Sequence, residues 1–292
     1  MDVRCRATSV CVAYIVKEND IMNLNLWIDK ELFYDIEEIN IPTEEKHFMV
    51  LAIVGLVMMV RSKEEQNIFI TCETVLATMC NDDVELKPKT VKGFMNALNK
   101  LHELNFIVIN KEVVKPHQMI KVDVSNILHK SDCSFFQISR EEVQNAMRST
   151  APQHIITMFC NLSSRWNMLS YDLFEKEGWD KEKRYEHNTD LTLYKYLSCY
   201  PTLSELTTSW CSRPNEKGEQ GFNVICRNVK WDVGERTIRG YIEEMVDLGL
   251  ICKITKNIDA KNHNYYCRPQ HFKCVLEVLD ILEEQQKFMN QK

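Results

Sequence analysis

Two short segments of the chain share a residue pattern that suits contact with a polyanion. Thr90-Val91-Lys92-Gly93-Phe94 returns 147 residues later as Thr237-Ile238-Arg239-Gly240-Tyr241. Each copy keeps the order threonine, β-branched residue, cation, glycine, aromatic residue, and each leads into a helical pattern and then a short apolar strand. Because solenoid repeats are only about 20 to 50 residues long, this pattern indicates a duplicated domain.

A helix that is followed by a β-hairpin is typical of a winged helix-turn-helix domain, in which the second helix of the motif lies in the major groove of DNA. Lysine and arginine can bond guanine, asparagine can bond adenine, and threonine suits a phosphate or a thymine methyl group. The residues that we expect to contact DNA from the two helices are Lys87, Lys89, Thr90, Lys92, Asn96, Arg236, Thr237 and Arg239. The residues that we expect to contact it from the wings are Lys111, Lys115, Lys253, Lys256 and Lys261.

The same residues also allow a purely structural interpretation. Thr90 and Thr237 lie close enough to the predicted helix starts to act as local caps, and the cations can simply be solvated. Gly93 and Gly240 lie inside predicted helices, where glycine costs about 1 kcal/mol relative to alanine. We therefore predict that a neighbouring helix approaches closely at both glycines.

The first copy contains the elements of a winged helix in order. The uncharged run from Phe48 to Val60 is shorter than the roughly 20 residues of a bilayer span, which predicts a core helix that starts near Thr43 as its N-cap. The elements predicted after it are a strand at Ile68–Ile70, a Thr71-capped helix over Cys72–Met79, a helix from Pro88 to Glu103, and wing strands at Phe106–Ile109 and Met119–Val124.

The second copy is longer than the first. Helical character runs from Glu141 to Trp166, with a break near Pro152. Its remaining predicted elements are a Thr202-capped helix over Leu203–Cys211, an inserted loop or small hairpin over 212–229, a helix over Glu235–Leu248 that Gly249 ends, and wing strands at Ile251–Thr255 and Asn264–Cys267. A loose echo of the Phe33–Ile39 segment begins at Phe135.

The predicted fold is mainly α with small β-hairpins (α+β), arranged as two winged helix-turn-helix domains in tandem. Residues 1–42 are predicted to form an N-terminal extension with a strand at Val10–Val16, and residues 43–130 the first domain. Residues 131–274 form the second predicted domain, and residues 275–292 a C-terminal amphipathic helix. That helix either packs on its own domain or pairs with a second copy of the chain.

The charge of the chain is unevenly distributed. The formal net charge of −6 counts against DNA binding, but residues 87–130 hold eight lysines and only three acidic residues. Twelve cysteines occur without any C-x-x-C motif, and the first residues lack the order of a secretory signal. These features predict a cytoplasmic protein with reduced thiols.

Catalytic and metal-binding patterns are weak or missing. His263, Cys267, His271 and Cys274 have side chains that zinc accepts, but Pro269 interrupts the helix that such a spacing requires. The chain contains no glycine-rich phosphate loop and no G-x-S-x-G or H-E-x-x-H motif. The sequence therefore predicts a protein that is not an enzyme and needs neither a cofactor nor a metal.

The paired segments Lys87–Ile109 and Asp232–Ile254 resemble, at the level of architecture, plasmid replication initiator proteins. They are also similar to the replisome-organiser and helicase-loader proteins of Gram-positive phages and plasmids. The resemblance implies binding to repeated origin sequences in double-stranded DNA, and leaves a second copy of the chain or other replication proteins open as partners. No membrane partner is implied. The acidic net charge and the insertion at 212–229 depart from that pattern.

Two alternative functions fit the same modules. A transcriptional regulator would use them on a promoter instead of an origin. A non-catalytic adaptor would use tandem winged helices to bind protein partners. Salt dependence separates the adaptor from the DNA-binding functions, since phosphate contacts make affinity fall steeply with ionic strength.

Overall fold

The computed structural model describes residues 25–60, 65–80, 84–128, 135–166, 198–201, 203, 208–213, 225–230, 233–258 and 261–290. The fold is mixed α+β, with helices and small antiparallel sheets. The predicted strand at Val10–Val16 lies outside the described residues. In chain order the elements are β1 (Asn25–Asp29), α1 (Lys30–Glu38), α2 (Thr43–Met59), β2 (Asn67–Ile70), α3 (Cys72–Met79), α4 (Pro88–Glu103), β3 (Val108–Ile109), β4 (Ile120–Asp123), β5 (Phe135–Ser139), α5 (Arg140–Met147), α6 (Pro152–Trp166), β6 (Ser198–Cys199), β7 (Thr208–Arg213), β8 (Ile225–Lys230), α7 (Glu235–Asp247), β9 (Cys252–Ile258), β10 (Lys261–Cys267) and α8 (Phe272–Asn290).

The chain divides into two compact units. Of the described residues, those in the ranges 25–164 and 203–250 form the larger unit, and those at 165–166, 198–201 and 251–290 form the smaller unit. The larger unit therefore contains α7, whereas the smaller unit contains the β9–β10 hairpin. The predicted division after residues 42, 130 and 274 stays a prediction.

Helix α2 forms the centre of the larger unit because its apolar side chains point in every direction. Every residue from Lys46 to Met58 is buried. A helix that is apolar all round needs neighbours on all sides, and β1, α1, α3 and α4 pack against it. The predicted core helix is confirmed, but Pro42 is its N-cap, so Thr43 is the first helical residue and makes no capping hydrogen bond.

Two glycines allow helices to approach one another closely in this core. A Cβ atom on Gly93 would lie 2.4 Å from the ring of Phe48, and one on Gly55 would lie 2.7 Å from the sulfur of Met79. The predicted close approach at Gly93 is confirmed. Gly240 is exposed and would have no atom within 4 Å of its Cβ, so the same prediction for Gly240 is wrong.

The first copy forms a three-stranded antiparallel sheet beside its helices. Its strand order is β2-β4-β3, and Val122 on the central strand pairs with Ile68 on one side and Ile109 on the other. The strands confirm the predicted positions, although β3 and β4 are shorter than expected. Thr71 caps α3, as predicted, by accepting a 3.0 Å hydrogen bond from the backbone N–H of Thr74.

Strands β1 and β5 form a second, two-stranded antiparallel sheet. Asn25 pairs with Ser139 and Asp29 with Phe135, and each strand leads directly into a helix. Ser139 begins α5 with a reciprocal capping box to Glu142. The echo between Phe33 and Phe135 does not reflect equivalent structure, because Phe33 lies in α1 and Phe135 in β5.

The ends of α4 and α7 correct the alignment of the two copies. Asn105 and Gly249 both adopt the left-handed conformation, with φ of 62° and 68°, which confirms Gly249 as the C-cap glycine. The next N–H donates a 2.9 Å hydrogen bond to the carbonyl of Leu101 in one copy and of Met245 in the other. These equivalent residues are 144 positions apart, whereas the sequence motif aligned the copies at 147.

The buried faces of the two helices agree with the spacing of 144. The residues that point into the core are Phe94, Leu98 and Leu101 in α4, and Ile238, Ile242 and Met245 in α7. In this register Lys92 corresponds to Arg236, and the motif-based equivalence of Lys92 with Arg239 is wrong by three residues. The repeat therefore persists as a helix with a shared burial pattern and a shared C-terminal cap.

The segment before α7 is a hairpin. The predicted helix over Leu203–Cys211 is wrong from residue 208 onward, because β7 pairs antiparallel with β8, with Thr208 opposite Lys230. Threonine, serine and tryptophan residues in this stretch favour an extended strand, a preference that the apparent cap at Thr202 obscured. The paired strands enclose the segment predicted as an inserted loop or hairpin over 212–229, and residues 214–224 of that segment lie outside the described residues.

The smaller unit contains a sheet of order β6-β10-β9 that is covered by α8. Val275 and Leu279 of α8 pack with Ile254, Ile258 and Tyr265 of the hairpin. This favours packing of the C-terminal helix on its own hairpin over a role confined to pairing. None of the helices in the described ranges combines the length and the apolarity that a bilayer-spanning helix requires.

We predict opposite effects of Gly93→Ala and Gly240→Ala. A methyl group at Gly93 collides with the Phe48 ring, which should lower the free energy of unfolding by about 1–3 kcal/mol. At Gly240 it meets open space, and the higher helix propensity of alanine should raise stability by about 0.5–1 kcal/mol. Urea unfolding of both variants measures the difference, and equal effects would contradict the non-equivalence of the two glycines.

Candidate nucleic-acid interface

One face of α4 presents a row of polar side chains to solvent. Lys89, Lys92 and Asn96 are exposed and recur at spacings of three and four residues. Beside them, a groove of about 230 Å³ separates α4 from α2, and Phe48, Gly93 and Ala97 contribute apolar surface to it. The contact between Phe48 and Gly93 therefore fixes how closely α4, which carries this row, packs against α2.

The N-terminal end of α4 carries two further features. Lys87, the N-cap residue, is exposed and donates a 3.1 Å hydrogen bond from Nζ to the carbonyl of Thr150. Thr90 is only 5% exposed, so its side chain faces the core and is unavailable to DNA. This removes Thr90 from the contact residues that we expected. Lys92 makes no ion pair with any residue in the described ranges.

The loop between β3 and β4, which we predicted as a wing, is held against α4 by a residue that the sequence pattern did not indicate. Asn99 donates a 2.9 Å hydrogen bond to the carbonyl of Val113 and accepts one of 2.9 Å from the N–H of the same residue. Gln118 braces the loop through bonds to Glu112 and Val114. The predicted wing residues Lys111 and Lys115 are exposed on this braced loop. The only sequence signal for Asn99 was a polar residue on the helix face that adjoins the loop.

Helix α7 also exposes the residues that the sequence selected. Arg236, Thr237 and Arg239 are all exposed, whereas Ile238 and Ile242 are buried. Neither arginine forms an ion pair with another described residue. Because Arg236 is the structural equivalent of Lys92, both copies place a free cation near the start of their helix.

The corner between α5 and α6 contacts both helices. Lys87 of α4 bonds the carbonyl of Thr150, and the adjacent Ser149 donates a 2.6 Å hydrogen bond to Glu244 of α7. His154, four residues after Thr150, stacks on Tyr241 of α7 with ring centroids 5.5 Å apart. Residues 149–154 thus connect α4 and α7 within the larger unit.

Two histidines are packed beneath this corner. The rings of His47 and His154 lie 4.5 Å apart in an edge-to-face arrangement. Burial, helped by the charge of neighbouring His154, lowers the pKa of His47 from 6.5 to about 3. Burial also lowers the pKa of His154, although the carboxylate of Glu44 opposes that shift. Both imidazoles are therefore neutral at pH 7.

The three lysines of the smaller unit that we expected to contact DNA differ in solvent exposure. Lys253 and Lys261 are exposed on the β9–β10 hairpin. The side chain of Lys256 is only 17% exposed and forms ion pairs with Asp280 and, at 3.6 Å, with Glu283 of α8. The hydrogen bond that Lys256 donates to the carboxylate of Asp280 raises the pKa of Lys256. Lys256 therefore ties α8 to the hairpin, which corrects its assignment as a DNA contact.

The described residues form no metal centre, and comparisons assign the chain to no family. Within the described ranges, no three histidine, cysteine or acidic side chains are grouped as metal ligands. Comparison with protein-family models, curated proteins and solved structures finds no match. The function must therefore be argued from the exposed residues themselves.

We predict that Asn99→Ala loosens the wing. The change removes two hydrogen bonds and leaves the backbone groups of buried Val113 without partners, which should lower the free energy of unfolding by about 1–3 kcal/mol. Hydrogen exchange should quicken at residues 110–118 more than in α2. Unchanged exchange in that loop would contradict the docking role of Asn99.

Stability should fall as the pH drops below about 6.5. The pKa of His47 is lower in the folded state than in the unfolded state, so the unfolded chain binds more protons and acid favours unfolding. Between pH 6.5 and about 3 this histidine should contribute a loss of up to about 1.4 kcal/mol per pH unit.

Replacement of His47 by leucine tests this pH dependence. His47→Leu should flatten the fall in stability relative to wild type, whereas replacement of the exposed His117 should not. Denaturant unfolding at pH 7, 6 and 5 measures both variants. Parallel curves for wild type and His47→Leu would contradict this origin of the acid sensitivity.

Proposed function

We propose that this protein binds double-stranded DNA in a sequence-specific manner, with α4 as the recognition helix and the β3–β4 loop as its wing. The element order α2-β2-α3-α4-β3-β4 and the sheet order β2-β4-β3 match a winged helix-turn-helix. In this proposal the second copy is a divergent module that retains helix α7, with Arg236 and Arg239 near its start, and the β9–β10 hairpin.

The observation that carries the proposal is the exposed row of Lys89, Lys92 and Asn96 on α4. Exposed lysine and asparagine side chains at helical spacing are suited to guanine, adenine and phosphate groups in a major groove. The row lies on α4, and the Phe48–Gly93 contact fixes how closely α4 packs against α2. Asn99 of α4 holds the β3–β4 loop, the proposed wing, against the same helix. A pre-organised surface of this kind limits the ordering cost of binding.

The acidic net charge is compatible with this function because charge acts locally. The segment that holds α4 and its wing has an excess of lysine, whereas much of the negative charge lies in residues 1–60. Clustered cations steer a polyanion to one face even when the sum of charges is negative. The cations of α4 and of the β3–β4 loop that we assign to DNA are Lys87, Lys89, Lys92, Lys111 and Lys115.

We further propose that the DNA target is a replication origin with repeated sites, as in the plasmid and phage initiators that the paired segments resemble. Helices α4 and α7 lie in one compact unit and each exposes cations near its start, which favours a target with more than one contact segment. A transcriptional regulator would use the same surface at a promoter, and an adaptor would use it for a protein partner.

Duplex binding in a salt series tests the proposed function. Lys92→Glu and Arg236→Glu should each weaken binding about tenfold or more and reduce the slope of log K against log salt by about 1. Arg239→Glu distinguishes the two alignments of the copies: a smaller effect than that of Arg236→Glu supports the spacing of 144. Lys273→Glu, on exposed α8, is the matched charge control and should have a small effect.

Two outcomes would overturn the proposal. Wild-type binding that is absent, or that does not depend on salt, would exclude DNA contact and favour the adaptor. Equal effects of Lys92→Glu and Lys273→Glu would show that α4 is not the contact surface. If the wild-type protein binds DNA as proposed, footprinting on the DNA that surrounds the gene locates the bound sites. Their position at an origin or at a promoter then distinguishes the initiator from the transcriptional regulator.

A further inference from the structure

We propose that Glu44 is an internal counter-anion that occupies Lys89 and competes with DNA phosphate for it, so that it restrains non-specific binding. This inference rests on the proposed function, since it assigns Lys89 to the DNA-facing row of α4. Glu44 lies in the first turn of α2, beside the groove that separates α2 from α4.

The carboxylate of Glu44 receives three donors from two helices. Its Oε1 atom accepts Nζ of Lys89 at 3.2 Å and Nε2 of Gln153 at 3.0 Å. Its Oε2 atom lies 2.9 Å from Nε2 of His154. Both oxygens are therefore engaged, and every donor other than Lys89 comes from α6.

The donors on α6 hold the carboxylate still while Lys89 stays exposed. Gln153 is buried and His154 is nearly so, whereas the side chain of Lys89 is 78% exposed. The buried amide of Gln153 and the largely buried imidazole of His154 fix the position of the Glu44 carboxylate. The carboxylate is therefore held in an orientation that faces α4. Lys89 can leave this acceptor at little cost because exposed ion pairs contribute only about 0–1 kcal/mol.

This geometry differs from an ordinary surface ion pair in its consequence for DNA. A phosphate that takes Lys89 must displace a carboxylate that Gln153 and His154 hold in place, and the remaining negative charge then lies beside the phosphate. The penalty applies to every sequence, whereas contacts from Lys92 and Asn96 are gained only on a matching site. The pair therefore lowers the affinity for any duplex, non-specific DNA included, and leaves the affinity ratio between sites unchanged.

The experiment compares Glu44→Gln with Glu45→Gln. Glutamine at position 44 keeps a carbonyl acceptor and an amide beside α6 but removes the charge. Glu45→Gln removes the same charge one residue away, in the same helical turn, without touching Lys89. Glu44→Asp keeps the charge, and Lys89→Gln removes the cation, alone and together with Glu44→Gln.

The first measurement is binding to a random-sequence duplex between 50 and 200 mM salt, a range in which phosphate contacts are readily counted. Glu44→Gln should bind about three- to tenfold more tightly than wild type, with a salt slope steeper by about 0.9, the value for one added phosphate contact. Glu45→Gln should change affinity less than twofold. The gain should vanish in the double variant with Lys89→Gln, and Glu44→Asp should stay close to wild type.

The second measurement does not involve DNA. Acetylation of lysines by an N-hydroxysuccinimide ester, read by peptide mass spectrometry, should modify Lys89 faster in Glu44→Gln than in wild type or Glu45→Gln. Lys92, which has no ion pair with a described residue, is the internal standard.

The outcomes separate this inference from the proposed function. Weaker or unchanged DNA binding of Glu44→Gln, or an equal gain in Glu45→Gln, overturns the inference while DNA binding itself stands. No binding by wild type overturns the proposed function and the competition together, whatever the labelling shows. If Glu44→Gln leaves the rate of Lys89 acetylation unchanged, Glu44 does not occupy Lys89 in solution and the inference is overturned, whereas DNA binding is unaffected by that result.

Discussion

The close contact between α2 and α4 is the constraint on which the rest of the larger unit depends. Helix α2 is buried from Lys46 to Met58, so its neighbours must cover it on every side. Phe48 can lie against α4 only because residue 93 lacks a side chain, and Gly55 allows the sulfur of Met79 an equally close approach. These contacts fix how closely α4 packs on the core, and this packing distance determines how far Lys89, Lys92 and Asn96 are exposed.

A second set of contacts connects α4 to α7 through the corner of residues 149–154. Thr150 receives Lys87 from one helix, Ser149 bonds Glu244 of the other, and His154 stacks on Tyr241. The carboxylate of Glu44 joins the same corner through His154. A change at this corner therefore reaches both α4 and α7 within the larger unit.

Local patterns predicted much of the first copy. The apolar run that became α2, the Thr71 cap and the proline that opens α4 each act through short-range physics that a single sequence displays. The spacing of three and four residues also identified the buried face of α4. Exposure of Lys89, Lys92 and Asn96 followed from the same periodicity, because the core takes the opposite face.

The sequence-based predictions were wrong where tertiary contacts determine which side of a helix is buried. Matching residue letters aligned Lys92 with Arg239, but the burial of α7 and the cap at Gly249 align it with Arg236. Thr90 turned inward because it lies on the side of α4 that faces the core.

Residues distant in sequence caused the remaining misassignments. Lys256 pairs with Asp280, 24 residues away, and Asn99 docks a loop 14 residues away. Neither partnership leaves a periodic signal. For the same reason the strand β7 was mistaken for a helix, since its pairing with β8 spans an insertion.

The most direct test of the central claim is to map where a duplex touches the protein. Ultraviolet cross-linking to a duplex from the DNA around the gene, followed by mass spectrometry, identifies the contact peptides. The account predicts cross-links within residues 84–118 and 233–248, and their loss at high salt. Cross-links confined to α8, or to the exposed face of the β9–β10 hairpin, would contradict it.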